Sequence, residues 1–360
     1  MLDKKFKKKI NYKLSELIRA GAAPGFQLAL GLKDESLGVF CAGIRDFRSH
    51  RPVLDETWFD LASLTKILST VDLLMQAVQE KKIADLNLPL KTWFPFFSSE
   101  LKNQTVLDLL NHCSGLPAVF EETREFNSRE EKIKFFLKQI DETYVFQAER
   151  PTLYSDVGFM LLGILLEQLY SKRLRDLFDH KENLNFGPQH PSFFSRALGL
   201  KNIAAIESLD PSPRLLKGDV QDARAEWLGG DAGHSGLFGT AIGVENWGQE
   251  LFRSYHGKGL RLSDRTTRAF IAFDSPVRKA SFLNGFDTPS SENSQAGKKF
   301  GATTIGHLGY TGCSFWMDIE TGRRVTLLSH RFAPGLVPET LRKLRPAFHD
   351  WLHEEVFSKL

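Results

Sequence analysis

The sequence predicts an α+β fold: an antiparallel sheet formed from both chain ends, flanked by helices, with an inserted, mostly helical lobe. Three observations predict it. Strand-like segments occur towards each end of the 360 residues, and the middle reads as helical. Amphipathic helices stand at both termini. No internal repeat or low-complexity tract divides the chain, so residues 1–360 read as one unit, with about 1–62 plus 285–360 forming the sheet lobe and 63–284 the helical lobe.

Phe6, Ile10, Leu14, Leu17 and Ile18 recur at helical spacing behind the basic run Lys4, Lys5, Lys7, Lys8 and Lys9. A secretory signal would need an unbroken apolar stretch there. Asn11, Tyr12, Lys13, Ser15, Glu16 and Arg19 interrupt it, so the segment reads as a helix packed on the core and the protein as cytoplasmic. Residues 26–32 and 38–44 flank Lys33-Asp34-Glu35-Ser36, a hairpin signal. Ile67, Leu68, Val71, Leu74, Met75 and Val78 mark a helix. Residues 80–235 read as mostly helical, with Gly- and Pro-bearing breaks at 111–117 and 186–191. Residues 303–310, 313–318 and 323–329 read as three successive strands with turns at Thr311-Gly312 and Glu320-Thr321-Gly322. A last helix follows Pro338, and 287–299, rich in Ser and Gly, reads as a connection between elements.

Lys+Arg 47 against Asp+Glu 44 leaves a net charge of +3, which demands neither nucleic acid nor another polyanion. The longest apolar stretch, 157–166, is half the ~20 residues that a helix needs to span a bilayer, so no membrane segment is expected. Cys41, Cys113 and Cys313 form neither a zinc pattern nor a disulfide framework, although one disulfide stays open. His349 and His353 stand at i and i+4, near the H-E-x-x-H pattern, but Asp350 replaces Glu and no third ligand is evident. They read as the polar face of the last helix. No metal or cofactor is expected, and nothing points to an oligomeric state.

Ser63-Leu64-Thr65-Lys66 has the spacing S-x-x-K. One helical turn puts both side chains on one face, where a buried lysine with a lowered pKa would accept the serine proton. The plain alternative for Ser63 is a helix N-cap. Ser99-Glu100-Leu101-Lys102 repeats the spacing without an apolar helix behind it. Gly233-His234-Ser235-Gly236-Leu237 approaches a nucleophile elbow but ends in Leu. Tyr154-Ser155-Asp156 opens an apolar helix, and His307-Leu308-Gly309-Tyr310 lies on a terminal strand. Taken singly, Asp156 would be a cap, and Tyr154 and His307 satisfied core residues. The pairs Phe96-Phe97, Phe135-Phe136 and Phe193-Phe194 read as core rather than as an acyl-binding groove.

Together, in this order, the three motifs resemble those of the serine β-lactamase and penicillin-binding-protein superfamily, specifically its class C branch. That branch includes D,D-peptidases and esterases. The segments 105–117 (TVLDLLNHCSGLP), 154–167 (YSDVGFMLLGILLE), 229–238 (GGDAGHSGLF), 285–290 (GFDTPS) and 306–318 (GHLGYTGCSFWMD) extend the likeness over about residues 20–335. The resemblance implies a β-lactamase/transpeptidase-like fold and a serine hydrolase that works through an acyl-enzyme on a small ester, amide or peptide. Ser63 would be the nucleophile, Lys66 its base, and Tyr154 a proton carrier. His307 would stand where many relatives have lysine. Backbone N–H groups of Ser63 and Tyr310 would form the oxyanion hole, Asp156, Leu308 and Gly309 would line the substrate site, and His234 would either stand at its wall or serve through its backbone. Three departures stand out. Asp156 replaces asparagine, which would raise the pKa of Lys66 or pair with His307. Leu308 replaces a hydroxyl that helps relatives hold a substrate carboxylate, which tilts towards uncharged acyl groups. Gln221 and Arg224 replace His and Asn of one subgroup. A catalytically weak binding protein with this fold is the alternative.

Overall fold

Asp3 starts the chain's first helix by accepting the Phe6 N–H at 2.9 Å. That helix, Lys4–Arg19, buries Ile10, Leu14 and Leu17 and leaves its lysines outward. The computed structural model describes residues 3–121, 124–147, 149, 151–178, 189–193, 202–207, 215–274 and 281–360. Residues 186–188 of the expected loop, and Phe194, lie outside them.

Among the described residues the sheet has eight strands: β1 (Gly25–Leu32), β2 (Glu35–Asp46), β3 (Arg51–Pro52), β4 (Phe282–Leu283), β5 (Phe286–Asp287), β6 (Thr304–Leu308), β7 (Ser314–Asp318) and β8 (Arg323–Ser329). Their order is β3-β2-β1-β8-β7-β6-β5-β4, antiparallel throughout. The two chain ends meet in its middle, where Phe26 pairs with Ser329 and Leu32 with Arg323. The first hairpin is tighter than expected. Glu35 and Ser36 already pair with Leu32 and Gly31, so the turn is Lys33-Asp34, with Lys33 at φ 50°.

Successive side chains of a strand face opposite ways. Phe26, Leu28, Leu30, Trp316, Val325 and Leu327 pack under the two terminal helices, whereas Ala29, Phe315, Met317 and Leu328 join the larger core shared with the central helices. Both faces are covered, so these strands read as apolar runs. On the second face Arg324 and Glu245 form an ion pair at 2.8 Å with both side chains fully buried, and a Cβ on Gly31 would collide with the Glu245 carboxylate. Burial pushes the Glu245 pKa up against the pull of Arg324. Arg324→Met, which strands that carboxylate, is expected to cost about 3–5 kcal/mol in urea unfolding, with much of the loss recovered when Glu245→Leu is added.

Among the described residues, the middle is less helical than the sequence suggests. Arg129–Glu142 and Asp156–Tyr170 are full helices, but Val106–Leu110, Leu174–Phe178 and Ala223–Trp227 are short. Pro89, Pro95, Pro117 and Pro151 break the amide ladder between them. Phe59–Asp60, Leu237–Gly239 and Ser192–Phe193 form a small ribbon of strands instead. The helix Asp156–Tyr170 is apolar on every side and buries residues 157–166 without a break. Its Gly163 lets the 229–236 loop approach, since a Cβ there would lie 2.8 Å from Gly233 N.

Two expectations need correction. His349 and His353 are 0% and 5% exposed, not a polar face, because the C-terminal helix Glu339–Glu355 turns them inward onto Phe300. Phe97, Phe136 and Phe193 are core, but Phe96 is 60% exposed, covering Phe94 and Phe97 from outside. Among the described residues no helix is long and apolar enough to cross a membrane.

Candidate active site

The strand Phe59–Asp60 runs into a sharp elbow. Ala62 takes φ 47°, a left-handed conformation costing about 1–2 kcal/mol for a residue with a Cβ. Its N–H is held by Asp60 Oδ1 at 2.8 Å. The chain then coils as a 3-10 turn over Ala62–Leu64, a π-turn over Lys66–Val71 and an α-helix over Asp72–Gln79, rather than as one regular helix. Local π-winding of this kind recurs at functional sites. It leaves Ser63 part-exposed at the cleft and Lys66 wholly buried beneath it.

Lys66 Nζ donates to Ser63 Oγ at 3.0 Å, to Asp156 Oδ1 at 2.7 Å and to the His234 carbonyl at 3.2 Å. An ammonium has three donors, and all three are used. It also lies 4.9 Å from the centre of the Tyr154 ring and 5.5 Å from that of Phe159. Burial works against the charge on Lys66, but the Asp156 carboxylate and Tyr154 outweigh it and hold the pKa above its ordinary value. Burial likewise opposes the charge on Asp156, and Lys66 prevails there too, lowering its pKa. Burial raises the Tyr154 phenol against the pull of Lys66, so it carries its proton. Of the two pairings open for Asp156, the structure shows the one with Lys66.

His307 sits on β6, 6.0 Å from Tyr154 between ring centres. Burial, aided by Lys66, pushes its pKa down to about 3, so the ring is neutral. Its Nδ1 lies 2.8 Å from the Leu308 carbonyl and therefore bears the hydrogen, which leaves Nε2, buried without a partner among the described residues, as an acceptor. His112 packs at a tilt against Tyr154 at 4.7 Å and edge-on against Phe282 at 4.5 Å between ring centres, and its Nδ1 accepts the Ser155 N–H, so it fixes the start of the Tyr154-Ser155-Asp156 segment. Nothing in the sequence marks His112 for this.

Strand β6 is not a bare edge. β5 lies outside it but pairs with it only at Asp287–Gly306, so the cleft opens from His307 onward. Leu308 and Gly309 follow, and a Cβ on Gly309 would stand 2.6 Å from the Leu61 carbonyl. Gly309→Ala is therefore expected to push the strand off the elbow and lower kcat about 30- to 100-fold with the fold intact, read from ester hydrolysis and a melting curve. Tyr310 is 53% exposed and rests on Phe332.

Other expectations fare differently. His234 meets Lys66 through its carbonyl, and its ring Nε2 lies 2.9 Å from Asp222 Oδ1 instead of lining the cleft. Ser99 is a cap, accepting the Leu101 N–H, and Lys102 reaches the Ser98 carbonyl instead of Ser99. No metal-binding group of His, Cys, Asp or Glu occurs among the described residues.

The cleft measures about 790 Å³ and is bordered by Ser63, Tyr154, Asp156 and His307 on one side. Four arginines border it as well: Arg224, Arg331, Arg342 and Arg345. Arg224 pairs with Glu121 at 3.0 Å. Arg345, 3% exposed, reaches Gln295 Oε1 at 3.2 Å and the Gly312 carbonyl at 2.9 Å, and its Nε has no hydrogen-bond partner among the described residues. Burial and neighbouring Arg331 push its pKa down to about 10. Arg331, Arg342 and Arg345 make no ion pair with the described residues. Sequence reasoning missed them because they come from the end of β8 and from the last helix, outside every motif.

Known proteins share this arrangement of chain. A curated Bacillus subtilis (strain 168) protein named N-acetylmuramyl-L-alanine amidase is 26% identical over 316 residues, covering 79% of this chain and 70% of its own. A putative D-alanyl-D-alanine carboxypeptidase of Salmonella gallinarum is 26% identical over 351 residues, covering 84% and 78%. The solved structure of EstCE1, described as a hydrolase with promiscuous acyltransferase activity, superposes with a TM-score of 0.73 at 18% identity, over 95% of this chain and 98% of its own. The family description Beta-lactamase matches residues 13–347. The chain belongs to the Beta-lactamase family and is a serine hydrolase of that family.

Proposed function

We propose that Ser63 is the nucleophile, Lys66 its base and Tyr154 the proton carrier in acyl transfer from a small amide or ester that bears a carboxylate. The observation that supports this best is the wholly buried Lys66 Nζ, 3.0 Å from Ser63 Oγ. Lys66 must first release one proton to solvent through the open cleft. It then takes the Ser63 hydroxyl proton as Oγ attacks the carbonyl carbon. The negative charge formed on the carbonyl oxygen meets the backbone N–H groups of Ser63 and Tyr310. Such donors are worth about 3–4 kcal/mol each. The proton passes by way of Tyr154 to the leaving nitrogen or oxygen, whose bond to carbon breaks. Water attacks the acyl-enzyme by the same route reversed and returns a proton to Ser63. Neutral His307 offers its Nε2 as a hydrogen-bond acceptor to a substrate N–H, where a lysine would have offered a charge.

Leu308 alone tilts the substrate towards an uncharged acyl group. The cleft arginines tilt it back, because guanidinium groups without carboxylate partners suit a carboxylate. Peptides containing D-amino acids fit this, as do the activities named for the two relatives. Cys41, Cys113 and Cys313 are thiols, not disulfides, which supports a reducing compartment and a substrate met in the cytoplasm.

The test is intact mass after mixing with benzylpenicillin, its methyl ester and a short activated ester, for the natural chain and Ser63→Ala. An adduct that forms faster with the free acid than with its ester, and that is lost in Ser63→Ala, supports the reading. Adducts formed equally well with both remove the carboxylate. The second reading, a binding protein with little turnover, is favoured by the full occupation of Lys66, and no adduct in a folded protein would establish it over the first.

A further inference from the structure

Asp60 lies three residues before the nucleophile and is 1% exposed. No lysine, arginine or histidine among the described residues pairs with it. Its two carboxylate oxygens are divided instead between two chain segments that line the cleft. Oδ1 accepts the Ala62 N–H of the elbow at 2.8 Å, and Oδ2 accepts the Gln221 N–H of the 220–224 segment at 2.8 Å. Its own carbonyl accepts the Thr311 hydroxyl at 2.7 Å, from the turn that follows Tyr310. The Cys313 thiol approaches the same carbonyl at 3.5 Å. Three segments that meet nowhere else in sequence are thus tied to one residue.

A buried carboxylate without a cation is costly to the fold. Burial pushes the Asp60 pKa up to about 6 in spite of the two N–H donors. Fold stability is therefore a poor account of this residue. What it does hold is geometry: the strained φ of Ala62 just before Ser63, and the distance from the elbow to the Tyr310 turn. Those are the two halves of the oxyanion hole in the function proposed above, on which this inference rests. We propose that Asp60 is a positioning residue for acyl transfer, fixing the Ser63 elbow, the Tyr310 turn and the Gln221 segment relative to one another through its carboxylate and its carbonyl.

Asparagine has the same shape but only one acceptor oxygen, so one of the two N–H groups would face an N–H₂. Asp60→Asn is expected to lower kcat for an activated ester about 30- to 100-fold, as a displacement of about 1 Å would. KM should stay within about threefold, because Asp60 does not line the cleft. The melting temperature should change by no more than a few degrees, since removing a buried charge offsets the N–H left facing the N–H₂. Thr311→Val cuts the tie to the carbonyl, together with the longer Thr311–Cys313 contact at 3.5 Å, leaves both carboxylate bonds in place and should lower kcat about three- to tenfold. Steady-state kinetics and melting curves of the two variants beside the natural chain decide the matter. Unchanged kcat in Asp60→Asn overturns the inference. So does a loss that merely tracks a fall in melting temperature. A natural chain that neither turns over the ester nor forms an adduct through Ser63 sinks the proposed function, and this inference with it. A natural chain that reacts while Asp60→Asn reacts equally well sinks the inference alone.

Discussion

Lys66→Ala should lower kcat/KM about 10³- to 10⁴-fold, whereas Asp156→Asn should raise it at neutral pH. The two expectations come from one geometry. In the resting site Lys66 is an ammonium whose three donors are all taken, with Asp156 the nearest acceptor at 2.7 Å. Its pKa lies above the ordinary 10.5, so the base form is scarce at pH 7 and grows with every step upward. Hydrolysis of an activated ester by the natural chain should therefore climb about tenfold per pH unit between pH 7 and 9. Asparagine at 156 removes the carboxylate and leaves burial as the dominant influence on Lys66, which lowers its pKa. The profile should move to lower pH, with a gain of about tenfold or more at pH 7. A flat profile in the natural chain would remove lysine deprotonation as the limiting event. A slower Asp156→Asn at every pH would make Asp156 the acceptor of the lysine proton instead.

The second large effect is on stability. His112, His190, His307, His330 and His349 are all buried with folded pKa values below the ordinary 6.5: about 3 for His190, His307 and His349, about 4 for His330, and well below 6.5 for His112. The unfolded chain binds protons at these positions when the folded chain does not. Stability is therefore complete above about pH 6.5 and is lost as pH falls through the window between 6.5 and the folded values. By pH 5 each histidine removes roughly 1–2 kcal/mol. Asp60 and Asp287 act oppositely, since burial pushes their pKa values up to about 6. Protonating them in the folded state returns roughly 1 kcal/mol each by pH 5. The balance is a loss of several kcal/mol, a large part of the 5–15 kcal/mol typical of a folded protein. Melting curves from pH 7.5 to 5 should show a steep fall, less steep in His349→Gln. A melting temperature constant over that range would mean that these histidines already bind protons when folded.

Much of this was legible in the sequence where a local pattern coincides with a physical need. The apolar runs at residues 26–32 and 323–329 give strands, and S-x-x-K followed by an apolar helix places Ser63 above Lys66. The order of strands is a long-range matter, and the pairing of Phe26 with Ser329 leaves no local trace. His349 reads as polar because a histidine does, yet a neutral imidazole is accommodated in a core at modest cost. The Asp156–Lys66 pair was one of two open pairings, separated only by distance. Arg331, Arg345 and His112 act through where the chain brings them, and no spacing announces that. Asp60 is adjacent to the motif but outside it, because its partners Gln221 and Thr311 lie 161 and 251 residues away.

The pairing of β1 with β8 also bears on how the chain is made. Leu32 waits for Arg323, so the sheet's central seam closes only after nearly the whole chain has left the ribosome. At the usual 5–20 residues per second that is roughly 15–60 s in which the β1–β2 hairpin presents an unpaired apolar edge. The same seam brings the first and last helices described together, with Lys9 and Glu355 2.8 Å apart. A short bridge from the last helix to the first, with new termini opened at an exposed loop such as 143–147, would let the seam form early in synthesis and shorten the aggregation-prone interval.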